Sequence, residues 1–307
     1  MPAEESSADG GSALAVVTGD QAPELTDDGK RAAEWFQDRG LAVDAVRWDR
    51  PVDWNTYDLA LVRSCYEYPT DPDRFRELLA AMERADVTVC NPPSVLRWNM
   101  HKSYVADLAA EGVPVPETAV VERGAETTLE AELERLGLDE AIVKPAVGTG
   151  SEGVFRVQAA DAGEFEDRFA DLLADGDALV QAYCPDISEG ERSIAFFGGE
   201  YSHAWNSPTT PDDVTRFEGD DHDYEPPESI VEAAATTCRA ARDVLDRRDP
   251  FPYARVDYVR DEDGGIVVLE LELIEPILDL EEAGAVDRFC EAVQSYFESA
   301  NPELDQT

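Results

Sequence analysis

The chain has 307 residues, 43% of them apolar, and sets 68 acidic side chains against 25 basic ones for a formal net charge of −43. Such a surface argues against nucleic acid and anionic membrane as partners, since both need basic patches, and no run of 18 apolar residues is present to cross a bilayer. Self-repulsion of this size becomes tolerable where salt shortens the Debye length to about 3 Å at 1 M, so a halophile's cytoplasm is the expected setting.

Residues 1–12 are small and acidic, without the basic and apolar regions of a signal peptide, and are expected to form a disordered tail. The first third then alternates short apolar runs with helical patterns. Strands are expected at Ala13–Thr18, Ala42–Trp48, Tyr57–Val62 and Val87–Cys90, and helices at Asp28–Arg39, closed by Gly40, and Asp71–Arg84. That succession implies a small parallel sheet with helices on both faces, whose ligands bind beyond the carboxyl ends of the strands. Arg63 and Ser64 follow the third strand and would stand at that rim.

A helix is expected from Lys102 to Gly112, stopped by the alternating prolines of Val113-Pro114-Val115-Pro116. Next come a strand (Thr118–Val121), a helix (Leu129–Leu136), a strand (Ala141–Lys144), a glycine-rich loop, a strand (Val154–Val157), a helix (Ala162–Leu173) and a strand (Ala178–Tyr183). Strands at Ser193–Phe197 and Glu200–Trp205 precede an irregular acidic stretch, Asn206–Glu228. A helix (Ile230–Leu245), a hairpin (Tyr253–Arg260 with Ile266–Leu273) and a closing helix (Val286–Ser299) complete the chain. Five scattered cysteines with no CxxC read as reduced thiols, and three separated histidines are too few for a zinc site.

Only three lysines occur: Lys30, Lys102 and Lys144. Lys144 ends a strand that feeds Gly148-Thr149-Gly150-Ser151-Glu152-Gly153. The glycine spacing matches the dinucleotide fingerprint, but a strand follows where that motif needs a helix, and no Gly-Lys-Ser/Thr closes a Walker loop. A glycine loop between antiparallel strands can instead fold over phosphates with its backbone N–H groups, and Lys144 could reach the same phosphates; the plain reading is a flexible hairpin connection. In the late hairpin, period-two alternation puts Arg255 and Asp257 on one face of their strand, and Glu270 and Glu272 on one face of theirs. If Asp257 pairs with Glu270, three carboxylates converge and call for a hard divalent cation; otherwise they are a solvated strand face. Val256, Leu269, Leu271 and Leu273 would form the core face.

Taken in order over residues 90–300, these parts resemble the ATP-grasp carboxylate–amine ligases. The strings Val62-Arg63-Ser64-Cys65-Tyr66, Asn91-Pro92-Pro93-Ser94-Val95-Leu96-Arg97-Trp98-Asn99, Tyr253-Ala254-Arg255-Val256-Asp257 and Glu270-Leu271-Glu272-Leu273-Ile274-Glu275-Pro276 are similar to the branch that contains a cycloserine-forming cyclo-ligase, which extends the resemblance through the first domain. The resemblance implies an α/β and α+β architecture: a Rossmann-like parallel-sheet domain over 13–95, an ATP-grasp lid subdomain over 96–183, and a C-terminal subdomain with the metal site over 184–307. It implies that Lys102, Lys144, Gly148, Gly150, Ser151 and Gly153 hold phosphates, that Gln181, Ala182 and Tyr183 bind adenine, and that Glu189 or Glu191 holds the ribose. Asp257, Glu270 and Glu272 would bind Mg²⁺ or Mn²⁺, Arg255 would stabilise the acyl phosphate, and Arg63 with Ser64 would meet substrate.

The chain departs from the family pattern at His101, where an Asp is usual, at Glu272, where an Asn is usual, and at Asn206-Ser207, where a basic residue is usual. The implied activity is ATP-dependent carbon–nitrogen bond formation through an acyl phosphate, releasing ADP and phosphate. Cyclisation of one substrate and a non-catalytic nucleotide-binding role are the alternatives; a kinase is disfavoured because HRD-like and DFG-like segments are missing. Expected partners are small carboxylate and amine substrates, a homodimer being the one assembly allowed for.

Overall fold

The computed structural model describes residues 12–210, 213–216 and 221–302, so residues 1–11 of the expected tail lie outside the described residues. The chain forms the expected combination of one parallel sheet and two larger antiparallel ones. Strands β1 (Ala13–Thr18), β2 (Ala42–Arg47), β3 (Leu59–Ser64) and β4 (Thr88–Cys90) lie parallel in the order β2-β1-β3-β4, with helices α1 (Asp27–Gln37) and α2 (Pro72–Arg84) between them. Alternation decides the two faces. Leu14 and Val16 pack with α1 through Ala32 and Phe36, whereas Ala15 and Val17 pack with α2 through Phe75, Leu79 and Met82. Thr26 caps α1 by accepting from the Gly29 N–H, and Asp71 caps α2 by accepting from Arg74.

Helices α3 (Pro93–Asn99) and α4 (Tyr104–Ala110) lead to the lid, where β5 (Thr118–Val121), β6 (Glu140–Pro145), β7 (Phe155–Gln158) and β8 (Ala178–Ala182) form an antiparallel sheet in the order β5-β8-β6-β7. Helices α5 (Leu129–Leu136) and α6 (Glu166–Asp175) supply Leu129, Leu133, Phe169 and Leu173 to its core. The last sheet holds β9 (Glu191–Phe197), β10 (Glu200–Ser207), a short β11–β12 pair (Thr209–Thr210 with Asp213–Arg216) beside it, β13 (His222–Asp223), β14 (Tyr253–Arg260) and β15 (Ile266–Glu272). Its order is β13-β10-β9-β14-β15. Helix α7 (Glu228–Val244) packs on the face carrying Ile194, Phe196, Ala254 and Val256. Helix α8 (Val286–Ala300) joins the opposite face to the parallel sheet through Phe289 and Val293.

Several sequence expectations need correction. Pro92-Pro93, where no element was expected, opens α3, because a proline in the first helical turn lacks only an N–H that would have no partner there. The helix expected from Lys102 begins at Tyr104; the Lys102 N–H is given instead to the Ala146 carbonyl, 2.7 Å away. The helix expected over Ala162–Leu173 is a 3₁₀ turn, Ala159–Glu164, followed by α6. The stretch Asn206–Glu228 contains the short strands above, with 211–212 and 217–220 outside the described residues. Strict alternation in the late hairpin also fails. A β-bulge shifts the register between Asp257 and Tyr258, so Val268, 1% exposed, takes the core place expected for Leu269, which is only half-buried. All five cysteines are free, and four are buried.

The domains are tied together by polar contacts from the motif residues themselves. Asn99 accepts from the Leu273 N–H and donates to the Leu271 carbonyl along the edge of β15, and Asn91 donates to the Tyr253 and Leu273 carbonyls. The buried Tyr253 hydroxyl lies 2.7 Å from the Val62 carbonyl and 3.0 Å from those of Cys90 and Ile274. One phenol thus joins β3, β4 and the segment after β15. Tyr253→Phe is expected to cost about 1–3 kcal/mol, seen as a lower midpoint in chemical unfolding, because these carbonyls lose their donor in a dry environment.

Candidate active site

The site lies where the three sheets meet, and its floor is one face of the C-terminal sheet. Directly opposite residues on neighbouring strands share a face. The register pairs Asp257 with Glu270 and Arg255 with Glu272 on β14–β15, and Ser193 with Asp257 on β9–β14. The two lid-side lysines come down onto this floor. Lys102 Nζ lies 2.8 Å from Glu270 Oε2, and Lys144 Nζ lies 2.7 Å from Glu270 Oε1. A single carboxylate therefore bridges cations from the turn before α4 and from β6. Burial works most strongly against the Lys102 ammonium, but the Glu270 charge and hydrogen bond, with Tyr104 and Glu272, together outweigh it and hold its pKa above the usual lysine value. Burial likewise opposes ionisation of Glu270, yet the two lysines hold it well below the ordinary carboxylate range.

Arg255 is buried and forks onto Asp257, with Nε 2.8 Å from Oδ1 and Nη2 2.8 Å from Oδ2; its Nη1 donates to the Ile277 carbonyl at 3.1 Å. Ser193 Oγ donates to Asp257 at 2.7 Å. Glu272 lies 3.6 Å from Arg255, and burial, followed by the effect of Glu270, pushes its pKa up despite the arginine. The three expected metal ligands thus share one face, but cations stand among them. Among the described residues no group of three His, Cys, Asp or Glu side chains comes together as a metal cage. Close like charges in a poorly solvated site need compensation, and lysine and arginine supply it. The donor set, all carboxylate oxygen, is of the kind that fits a hard divalent cation.

The glycine loop runs between β6 and β7. Gly150, Ser151 and Gly153 have φ of +60°, +60° and +77°, and a Cβ at Gly153 would come within 3.0 Å of the Pro145 side chain. Thr149 moors the loop to the first domain, its Oγ1 donating to the Tyr66 carbonyl at 2.6 Å. Thr149→Val is expected to weaken this docking by about 1 kcal/mol, read as faster amide hydrogen exchange across residues 147–154.

The hinge residues are partly committed elsewhere. Gln181 donates its side-chain amide to Thr118, and the Ala182 and Tyr183 N–H groups are taken by the Glu117 and Glu140 carbonyls. The Arg156 guanidinium lies over the Tyr183 ring, 3.8 Å from its centroid. Glu189 is exposed, while Glu191 begins β9 on the floor face and its charge reaches Arg255. His101 meets Ser103 Oγ at 2.7 Å and Asp177 of the lid at 3.3 Å, which gives this departure from the family pattern a joining role.

Arg63 is the next-to-last residue of β3, its guanidinium over the rings of Tyr253 and Phe289. Ser64 is buried beside it. Among the described residues, Arg63 Nη1 and Glu275 Oε2 are both buried with no hydrogen-bond partner. Burial, then the nearby Glu272 charge, pushes the Glu275 pKa well above the ordinary carboxylate range, with Lys102, Arg255 and, least, Arg63 opposing. Sequence reasoning noted Glu275 only as part of a string; the signal that singles it out is burial, which needs the fold.

The family model of the D-cycloserine synthetase DcsG N-terminal domain matches residues 14–91. The cycloserine biosynthesis protein DcsG of Streptomyces lavendulae is 34% identical over 270 residues, covering 83% of this chain and 88% of that protein. The crystal structure of D-cycloserine synthetase DcsG superposes with a TM-score of 0.85 at 30% identity, covering 93% of this chain and 99% of that one. The D-alanine–D-alanine ligase of Bacillus anthracis, solved with ATP, shares the fold at a TM-score of 0.67 and 16% identity, over 95% of this chain and 99% of the other. The chain therefore belongs to the ATP-grasp ligases, in the family of D-cycloserine synthetase DcsG.

Proposed function

We infer that this ADP-forming carbon–nitrogen ligase activates a small substrate carboxylate as an acyl phosphate and lets an amine displace the phosphate. The carboxylate oxygen attacks the γ-phosphorus and ADP departs; the amine then attacks the acyl carbon, phosphate leaves, and the amine loses a proton. The observation that carries this reading is Glu270 drawing Lys102 and Lys144, two of only three lysines, onto one carboxylate. In so acidic a chain, that is a prepared polyphosphate site.

On this reading Lys144 and Lys102 hold ATP phosphates, while Gly148, Gly150, Ser151 and Gly153 shape the loop that covers them and keeps water out. Gln181, Ala182 and Tyr183 flank the base, and Glu189 or Glu191 the ribose. Glu270, Glu272 and Asp257 are the residues that would hold Mg²⁺ or Mn²⁺, which when bound offsets charge between phosphoryl oxygens. Arg255 steadies the developing acyl phosphate from a fixed position. Arg63 receives a substrate carboxylate and Glu275 faces its amine, with Ser64 beside them.

A second reading is favoured by the kinship with DcsG, whose name describes a synthetase for D-cycloserine: one amino-acid-derived substrate supplies both carboxyl and amine and is cyclised. The unpartnered Arg63 and Glu275 fit the head group of such a molecule.

The test is incubation with Mg-ATP and pooled amino acids and carboxylic acids in about 2 to 3 M KCl, where surface charge is screened, followed by nucleotide separation and product mass. ADP and phosphate are expected, formed only with the productive pool; a product containing one precursor selects cyclisation and one containing two selects joining. AMP and pyrophosphate would overturn the acyl-phosphate route.

A further inference from the structure

We propose that His101 is a positioning residue for the two phosphate-directed lysines: bonded to Asp177 of the lid, it holds the turn that carries Lys102 in register with the strand that carries Lys144. The proposal rests on the ATP reading above. The two ammonium groups share Glu270, but they come from separate elements, and one polyphosphate can claim both at little ordering cost only if those elements are already tied together.

A closed ring of hydrogen bonds makes the tie. The Lys102 N–H is given to the Ala146 carbonyl at 2.7 Å, and the Ala146 N–H to the Asp177 carbonyl at 2.8 Å. His101, next to Lys102 in the chain, closes the ring with Nε2 3.3 Å from Asp177 Oδ2. Ala146 follows β6 and Asp177 precedes β8, so their bond adds one rung to the β6–β8 ladder beyond the pairing of Pro145 with Ala178. The other carboxylate oxygen, Asp177 Oδ1, accepts from the Arg123 N–H at 2.8 Å, two residues past the end of β5. Asp177 thus gathers the ends of three lid strands, and His101 is the side chain by which the Lys102 turn grips that junction.

The imidazole suits the place. The Ser103 backbone N–H, 3.3 Å from Nδ1, can only donate, so Nδ1 accepts and the neutral ring carries its proton on Nε2, facing Asp177. The Ser103 hydroxyl holds the same edge of the ring at 2.7 Å. An aspartate at 101, usual in the family, would meet Asp177 as a like charge, so in this chain the histidine and Asp177 belong together. The two side chains are 28% and 34% exposed, and salt screens their charges, so the expected effect is several-fold and not a hundredfold.

The test compares His101→Asn with His101→Gln. An asparagine carbonyl can still accept the Ser103 N–H, but the side chain is too short for Asp177; glutamine carries an N–H donor out to the reach of Nε2. Calorimetric titration with Mg-AMPPNP is expected to show about a fivefold loss of affinity for asparagine and a change within about twofold for glutamine. Both variants are expected to keep the thermal midpoint within about 2 °C of wild type. Without nucleotide, the Lys102 and Ala146 amides are expected to exchange about fivefold faster in His101→Asn alone, read residue by residue by NMR. In an Asp177→Ala background, His101→Asn is expected to cost nothing further, since the bond it removes is already gone. An equal loss in His101→Gln, or a further loss in the Asp177→Ala background, would overturn the assignment. A wild-type chain that binds no AMPPNP sinks the ATP reading and this role with it; one that binds it, with His101→Asn indistinguishable from it, sinks the role alone.

Discussion

Replacing Lys144 by alanine is expected to weaken Mg-ATP binding by at least about a hundredfold while the fold survives. A charge-assisted bond to phosphate contributes on the order of 3 kcal/mol, and here few other cations can take over. The fold survives because Glu270 keeps Lys102, at 2.8 Å, and is not left as a lone buried charge. Lys144→Met retains most of the buried stem and isolates the ammonium. Isothermal titration in molar KCl reads the affinity, and circular dichroism with temperature reads the fold. Unchanged ATP affinity in both variants would remove Lys144 from the nucleotide site.

Arg255→Met is expected to behave oppositely, losing both stability and activity. Asp257 is 1% exposed, and both of its oxygens are engaged by the Arg255 fork. Removing the arginine strands a buried carboxylate with Ser193 as its remaining partner, which costs about 3–5 kcal/mol and lowers the thermal midpoint by roughly 6–15 °C. The double variant Arg255→Met with Asp257→Leu removes both charges and is expected to recover most of that loss, since apolar side chains of similar volume often replace buried pairs without penalty. Turnover stays depressed by about 10²–10³ in the single variant and does not return in the double one. A double variant as unstable as the single one would show that packing, not charge, sets the cost.

Much of the architecture was legible because it rests on local patterning. Ala13–Thr18 alternates cleanly between two cores, Leu129–Leu136 carries a threonine cap before it and a glycine after it, and the Tyr253–Arg260 hairpin announces itself through Asp261–Gly265. Of the two arrangements the hairpin left open, the pairing of Asp257 with Glu270 is the one that forms. What periodicity could not carry was the bulge that displaces Leu269, because an extra residue in one strand leaves the pattern of apolar letters almost unchanged. Helix α3 was not expected for a related reason: a proline pair serves a turn and a helix start alike, and only the packing of Val95 and Leu96 decides. At the site, the sequence indicated which cations mattered but not what they touch. That Lys102 and Lys144 share one acid depends on three sheets meeting, as do the unpartnered Arg63 and Glu275.

The carboxylate held between two ammonium groups also bears on what the protein ignores. Exposed lysines in brine would be occupied by whatever small anion is most abundant, and chloride or sulfate would compete with every encounter. Here each ammonium already has a tethered counterion whose local concentration no dissolved salt can match. A monovalent anion that took one ammonium would compete with a carboxylate the other ammonium holds in place, and only by taking both would it strand Glu270 with no cation at all. A polyanion escorted by its own divalent ion offers the acid a replacement at the same moment that it claims the lysines. On the ATP reading the exchange is favourable only when both halves arrive, and simple salt supplies only one of them.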